Sequence, residues 1–129
     1  MRRLLIPVLA LFSMYAHAEN WKQLIPGPAM PPKSILSIDM DSIVRNGDIV
    51  TVWSRYQNWS QDTTFQSNSS YDCRQRLSWD NASFQIGYES KKRYNMEPDR
   101  QPKPINPGWG GEVIFNTLCS KKFYEFWKP

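Results

Sequence analysis

Tyr71-Asp72-Cys73-Arg74-Gln75-Arg76-Leu77-Ser78-Trp79 (YDCRQRLSW, residues 71–79) alternates between two kinds of side chain. Tyr71, Cys73, Gln75, Leu77 and Trp79 occupy the odd positions, and Asp72, Arg74, Arg76 and Ser78 the even ones. Successive side chains of a β-strand point to opposite faces. The period therefore turns Cys73 inward with Tyr71 and leaves Asp72, Arg74 and Arg76 in solvent. The stretch reads as the end of a long strand that starts near Phe65. Asp80-Asn81 is the expected turn, and Phe84, Ile86 and Tyr88 alternate along a returning strand. Cys73 is a reactive thiol primed by its charged neighbours, a metal ligand, or half of a disulfide.

The N-terminus narrows that choice. Arg2 and Arg3 precede an apolar run from Leu4 to Met14, and Ala16-His17-Ala18 has the small-x-small form that signal peptidase cleaves. Residues 1–18 read as a secretory signal peptide and 19–129 as one exported domain. The implied location is the periplasm, or the extracellular or cell-surface space, of a Gram-negative bacterium. No cysteine ends the run to take a lipid, and no later stretch reaches the roughly 20 apolar residues of a transmembrane helix. Cleavage leaves 111 of the 129 residues, enough for one core and too few for two domains.

His17 is the only histidine. The exported chain therefore lacks the ring that activates Ser or Cys nucleophiles, fills most zinc sites and serves as the commonest general base. Cys73 and Cys119 are the only cysteines, and an even pair in a small exported domain reads as a disulfide. Arg2 and Arg3 leave with the signal, so 14 of the 16 basic side chains remain against 12 acidic ones, a net charge of +2. With no basic stripe, that balance argues against a nucleic-acid partner.

From residue 30 onward the pattern is mostly period two. Leu36, Ile38 and Met40 share one face of a strand over Ser34–Asp41, with Ile35 as the exception. Ile43-Val44-Arg45-Asn46-Gly47-Asp48-Ile49-Val50 sets Asn-Gly between two β-branched runs, a strong hairpin signal that implies a type I′ turn. Arg45 and Asp48 would then flank the turn as a cross-strand pair, and the second strand would continue to about Tyr56. Trp53 and Trp79 fall in the core by alternation. Residues 91–110 hold four prolines and no periodicity, which describes a long Pro-rich surface loop. Gly111 to Cys119 is helical, with Phe115, Leu118 and Cys119 on one side. The helix ends near Ser120 because Lys122 would fall in its apolar stripe, and 120–129 follows as an aromatic tail. With Cys73 inward from a sheet and Cys119 inward from a helix on that sheet, a bridge would tie the two layers.

Ile38-Asp39 with Asp41-Ser42-Ile43, then Arg45, Gly47, Val52-Trp53, Tyr71-Asp72-Cys73-Arg74, Pro107-Gly108, Gly111-Glu112 and Cys119 form an ordered set. From about Trp21 to Cys119 it resembles the surface-adhesin protein E-like family of small exported bacterial domains. The resemblance implies an α+β fold: a single antiparallel sheet of about six strands, with a C-terminal helix packed on one face and joined to it by a Cys73–Cys119 disulfide. It also implies adhesion, because the family's founding member is a surface adhesin that binds host extracellular-matrix and plasma proteins. This chain departs from the family in lacking a lipid-attachment cysteine, in carrying Trp109 before the helix, and in the added Phe123-Tyr124-Glu125-Phe126-Trp127.

Two groups of residues offer function. Asp39 and Asp41 share a strand face, where paired carboxylates can share a proton or hold a cation, as a hydrolase would need; they can equally end a strand by accepting backbone hydrogen bonds. Lys91, Lys92 and Arg93 form a basic loop segment, interrupted further on by Glu97 and Asp99. Together with Arg74, Arg76 and Trp109 they are the candidate partner-binding residues, against the alternative of a solvated surface. The sequence thus points to a non-catalytic exported cell-envelope binding domain, adhesin-like, that contacts a protein or glycan. The alternative is a periplasmic accessory or inhibitor protein docking on an envelope enzyme or assembly factor. Neither reading calls for a cofactor or a metal.

Overall fold

The computed structural model describes residues 19–58, 63–87 and 89–122; the expected signal peptide at 1–18 and the aromatic stretch at 123–129 lie outside the described residues. In chain order these form β1 (Trp21–Leu24), β2 (Ser34–Asp39), a 3-10 turn (Met40–Ser42), β3 (Val44–Asn46), β4 (Ile49–Asn58), β5 (Thr63–Asp72), β6 (Leu77–Gly87), β7 (Arg93–Met96), β8 (Lys103–Pro104) and α1 (Gly110–Leu118). The sheet runs β1-β2-β4-β5-β6-β7, with β3 alongside β4 and β8 alongside β6, so it is six strands wide. All of its pairings are antiparallel. With α1 across one face, the fold is α+β. Among the described residues no helix is long and apolar enough to cross a membrane.

The first hairpin forms where Asn46-Gly47 signals it, one residue late. Asn46 pairs with Ile49, leaving Gly47-Asp48 as the two-residue loop. Of these two residues only Gly47 has positive φ, at 60°. A type II′ turn needs a glycine at that first central position. The expected Arg45–Asp48 pair does not form, because Arg45 faces Val50 instead. Its Nη2 donates to the Leu118 carbonyl at 2.8 Å, placing a cation at the end of α1 where unpaired carbonyls and the helix dipole favour one.

The second hairpin turns earlier than the alternation implies. β5 ends at Asp72, and residues 73–76 make the turn. Asp72 Oδ1 accepts from the backbone N–H of Arg74 and of Gln75, each at 3.0 Å, the local capping that makes aspartate a turn former. Arg76 closes the turn with φ of 56°, a left-handed conformation uncommon for a residue with a Cβ. Asp80-Asn81 lies instead inside β6. Asn68 pairs with Ala82 and Ser69 with Asp80, so Asn81 is the extra residue of a β-bulge. Its Nδ2 donates to Asn68 Oδ1 at 3.0 Å and Ser70 Oγ at 2.9 Å.

The Pro-rich segment is not a bare loop. Its β7 pairs with Ser83–Ile86 and its short β8 with Leu77–Ser78, both along β6. β7 is exposed at every position, so no apolar alternation marks it.

The core lies between the sheet and α1: Leu36, Ile38, Val50, Val52 and Tyr71 meet Ile114, Phe115 and Leu118. Nine residues are too few for a helix to persist alone in water, so α1 depends on this face and on its two ends. Cys73 and Cys119 are disulfide-bonded with Cα atoms 5.5 Å apart, linking the β5–β6 turn to the residue after α1. At the other end, the Gly108 carbonyl accepts from Ala29 N at 3.0 Å. The two loops touch so closely there that a Cβ on Gly27 would collide with the Gly108 carbonyl. Trp53 and Trp79, expected in this core, are partly buried on the opposite face. In β4 it is Val50 and Val52 that point toward α1.

Candidate functional site

The face of the sheet turned away from α1 carries an aromatic surface overlaid by arginines. Trp21, Trp53 and Arg55, Gln66, Phe84 and Arg93 reach it from β1, β4, β5, β6 and β7. The Trp53 and Phe84 rings lie 5.9 Å apart in a tilted pair. The Arg93 guanidinium sits 3.7 Å from the centroid of Phe84, and that of Arg55 4.4 Å from the centroid of Trp21. Such stacking holds a weakly hydrated cation on a ring. Arg55 Nε is enclosed and lacks a hydrogen-bond partner among the described residues, so ring contact compensates only part of its desolvation. Glu19, Asp39, Trp21, Trp53, Phe84 and Arg93 rim a cavity of about 320 Å³ on this face.

Asp39, one of the two carboxylates considered for catalysis, is engaged at that rim. Its Oδ1 accepts from Asn20 N and Asp41 N, each at 3.1 Å, which caps the 3-10 turn. Asp41 is exposed. The backbone-accepting role explains the spacing of this pair.

The face toward α1 holds a second cavity, of about 430 Å³, where the N-terminal turn of the helix stops short of β5 and β6. Met30, Leu36, Ile114 and Trp109 supply apolar walls, and Ser54, Ser67, Ser69, Ser78 and Asp80 the polar floor. Ser69 Oγ donates to Asp80 Oδ1 at 2.6 Å. Burial pushes the Tyr71 phenol well above its ordinary value of 10.0, the Asp80 charge adds to the rise, and a hydrogen bond with Ser69 opposes it. Tyr71 is therefore a neutral hydrogen-bonding group near pH 7. No family model, curated protein or solved structure matches the chain.

The six candidate partner-binding residues fall in three places. Lys91 and Lys92 are exposed in the turn between β6 and β7, where Lys91 has φ of 54°. Arg93 follows and joins the aromatic surface. Arg74 and Arg76 sit in the β5–β6 turn at the far end of β6, where Arg76 lies 4.8 Å from the centroid of Phe115 beside the disulfide. Trp109 is the N-cap of α1, 50% exposed, on the rim of the inner cavity. Only the first three adjoin one another. Sequence reasoning missed Asp80, read as a turn residue, and the serine floor, whose members come together only across β4, β5 and β6. The exposed pair Glu97 and Asp99 balances the loop cations. Lys103 pairs with Asp99 and holds its carboxyl below the usual range, and Arg100 lies 3.7 Å from Glu97.

Proposed function

We propose that this chain is a non-catalytic, exported cell-envelope domain that binds a protein partner through the sheet face opposite α1. The observation that carries the reading is the juxtaposition of Arg93 and Arg55 on Phe84 and Trp21 beside Trp53. Tryptophan and arginine dominate the residues that hold protein interfaces together, because each couples a large apolar area to a polar edge. Lys91 and Lys92 adjoin that surface at its β6–β7 end, so the complementary partner surface is acidic. The ordered motifs that resemble the surface-adhesin protein E-like family support the same reading, and a disulfide in a chain with a signal-like N-terminus supports export.

The test is affinity capture with the chain beginning at Glu19, oxidised and immobilised, alongside a Lys91→Glu/Lys92→Glu/Arg93→Glu variant. Both are exposed to bacterial envelope extract and, separately, to host matrix and plasma proteins. Saturable binding to an acidic-surfaced protein, weakened at least tenfold in the variant, is the expected result. Binding that the variant leaves unchanged removes this surface from the site. A partner in the envelope extract alone replaces adhesion with a role as a periplasmic accessory or inhibitor protein.

A further inference from the structure

We propose that the cavity beneath the N-terminal turn of α1 binds a small organic cation, a primary ammonium on a compact apolar body, with the ammonium held at Asp80. This site is separate from the outer sheet face, and its occupation does not depend on a partner there.

Charge makes the first part of the case. Among the described residues, Asp80 is the one carboxylate lining the cavity, and no lysine or arginine lines it. Among the described residues the Asp80 carboxylate has a single hydrogen-bond donor, the Ser69 hydroxyl at 2.6 Å. On the neighbouring β8, Lys103 pairs with Ser78 of β6 in the backbone register. Its ammonium is taken by Asp99 instead. A bound ammonium would supply Asp80 with a counter-charge through a short charge-assisted hydrogen bond.

Shape and donor count make the second part. An ammonium has three N–H donors and no acceptor. Asp80 can take one, and the hydroxyls of Ser67 and Ser78 on the same floor can take the others. The Tyr56, Tyr71 and Trp109 rings border the space, and aromatic faces attract cations while excluding anions. The opposing influence is the positive end of α1. Glu112 lies in that first turn and its Oε1 accepts from Gly108 N at 3.2 Å, which sets a negative charge against the helix dipole. Met30, Leu36 and Ile114 remain to cover an apolar body. About 430 Å³ is within the range of small-molecule sites.

Phenethylammonium chloride is a suitable probe, with 2-phenylethanol as its neutral counterpart and phenylacetate as its anionic one. Calorimetry and tryptophan fluorescence of the oxidised chain should show saturable phenethylammonium binding with a Kd on the order of 1 mM or tighter. The alcohol should bind at least tenfold more weakly and the carboxylate not at all. Asp80→Asn keeps the side-chain shape and should weaken the ammonium by about 10- to 100-fold, the usual effect of losing a charged hydrogen-bond partner. Trp109→Ala removes an exposed rim and should weaken it severalfold while leaving the thermal transition in place. Equal binding of ammonium and alcohol, undiminished binding by a folded Asp80→Asn, or no saturable binding of any probe would each overturn the proposal. Should Asp80→Asn fail to fold, the three-probe comparison on the unmodified chain and the Trp109→Ala titration still decide it.

Discussion

Tyr71 shows how one residue can belong to both the core and a site. Its ring packs among Val50, Val52 and Phe115, while its phenol stays protonated through burial, reinforced by the charge of Asp80. A phenol whose pKa is raised by folding keeps its proton in the native state after the unfolded chain has lost it. The unfolded state then binds fewer protons, so stability falls as pH rises above about 10 toward the higher native value. Below the unfolded value that contribution is fully present. Chemical denaturation at pH 9, 10 and 11 should therefore show the native chain losing stability faster than Tyr71→Phe, which has no proton to lose. Near pH 7, where the phenol is neutral in both states, the same substitution should change stability by no more than about 1 kcal/mol. Equal pH slopes for the two proteins would remove the buried phenol from the account. The sequence reads Asp80 as a turn residue for a local reason. Asp-Asn is common turn chemistry, and nothing local distinguishes a turn from a bulge whose Asn81 bonds across the strand.

Turns and caps decide which elements were legible. Gly47 between two β-branched runs announces a hairpin, and the 115, 118, 119 spacing announces a helix, because each pattern is local and marks one side of its element. The turn at 73–76 contains neither Gly nor Pro and is held by Asp72 and a left-handed Arg76, so the alternation of the sequence runs straight through it. The turn puts Leu77 and Trp79 on the outer face and brings Ser78 and Asp80 to the inner one. Both faces of β4 carry apolar side chains, so alternation alone does not decide whether Trp53 or Val52 turns toward α1, and the core reading of Trp53 takes the wrong face.

The two ends of α1 can be tested separately. Replacing Cys73 and Cys119 by alanine opens a 46-residue loop and should lower stability by about 2–4 kcal/mol, read as a lower urea midpoint; the loop-entropy value of about 4 is the ceiling. At the N-terminal end, Gly27→Ala should cost about 2 kcal/mol because the new methyl meets the Gly108 carbonyl. Gly111→Ala is the counterpart. A Cβ there meets none of the described residues within 4 Å, and alanine is the better helix former, so it should stabilise by about 0.5–1 kcal/mol.

At the scale of the whole molecule, the strand that organises the sheet also separates its cations. β6 has 11 residues, which at about 3.3 Å each places the β5–β6 and β6–β7 turns roughly 35 Å apart. Arg74 and Arg76 lie at one end and Lys91, Lys92 and Arg93 at the other. Exposed charges are screened over about 8 Å at physiological salt, so the two groups do not act as one field. A standard interface covers about 800 Å² per partner, roughly 30 Å across, and centred on Trp53 and Phe84 it reaches only the second group. Charge reversal at Arg74 and Arg76 should therefore change partner affinity by less than about twofold. Reversal at Lys91, Lys92 and Arg93 should slow association and lower affinity at least tenfold, with the loss shrinking as salt is raised. Distant sites without shared contacts act additively, so combining the five substitutions should reproduce the triple variant within about twofold. A comparable loss from Arg74→Glu/Arg76→Glu, in a protein whose thermal transition is unchanged, would move the interface to the disulfide end, where Arg76 covers Phe115.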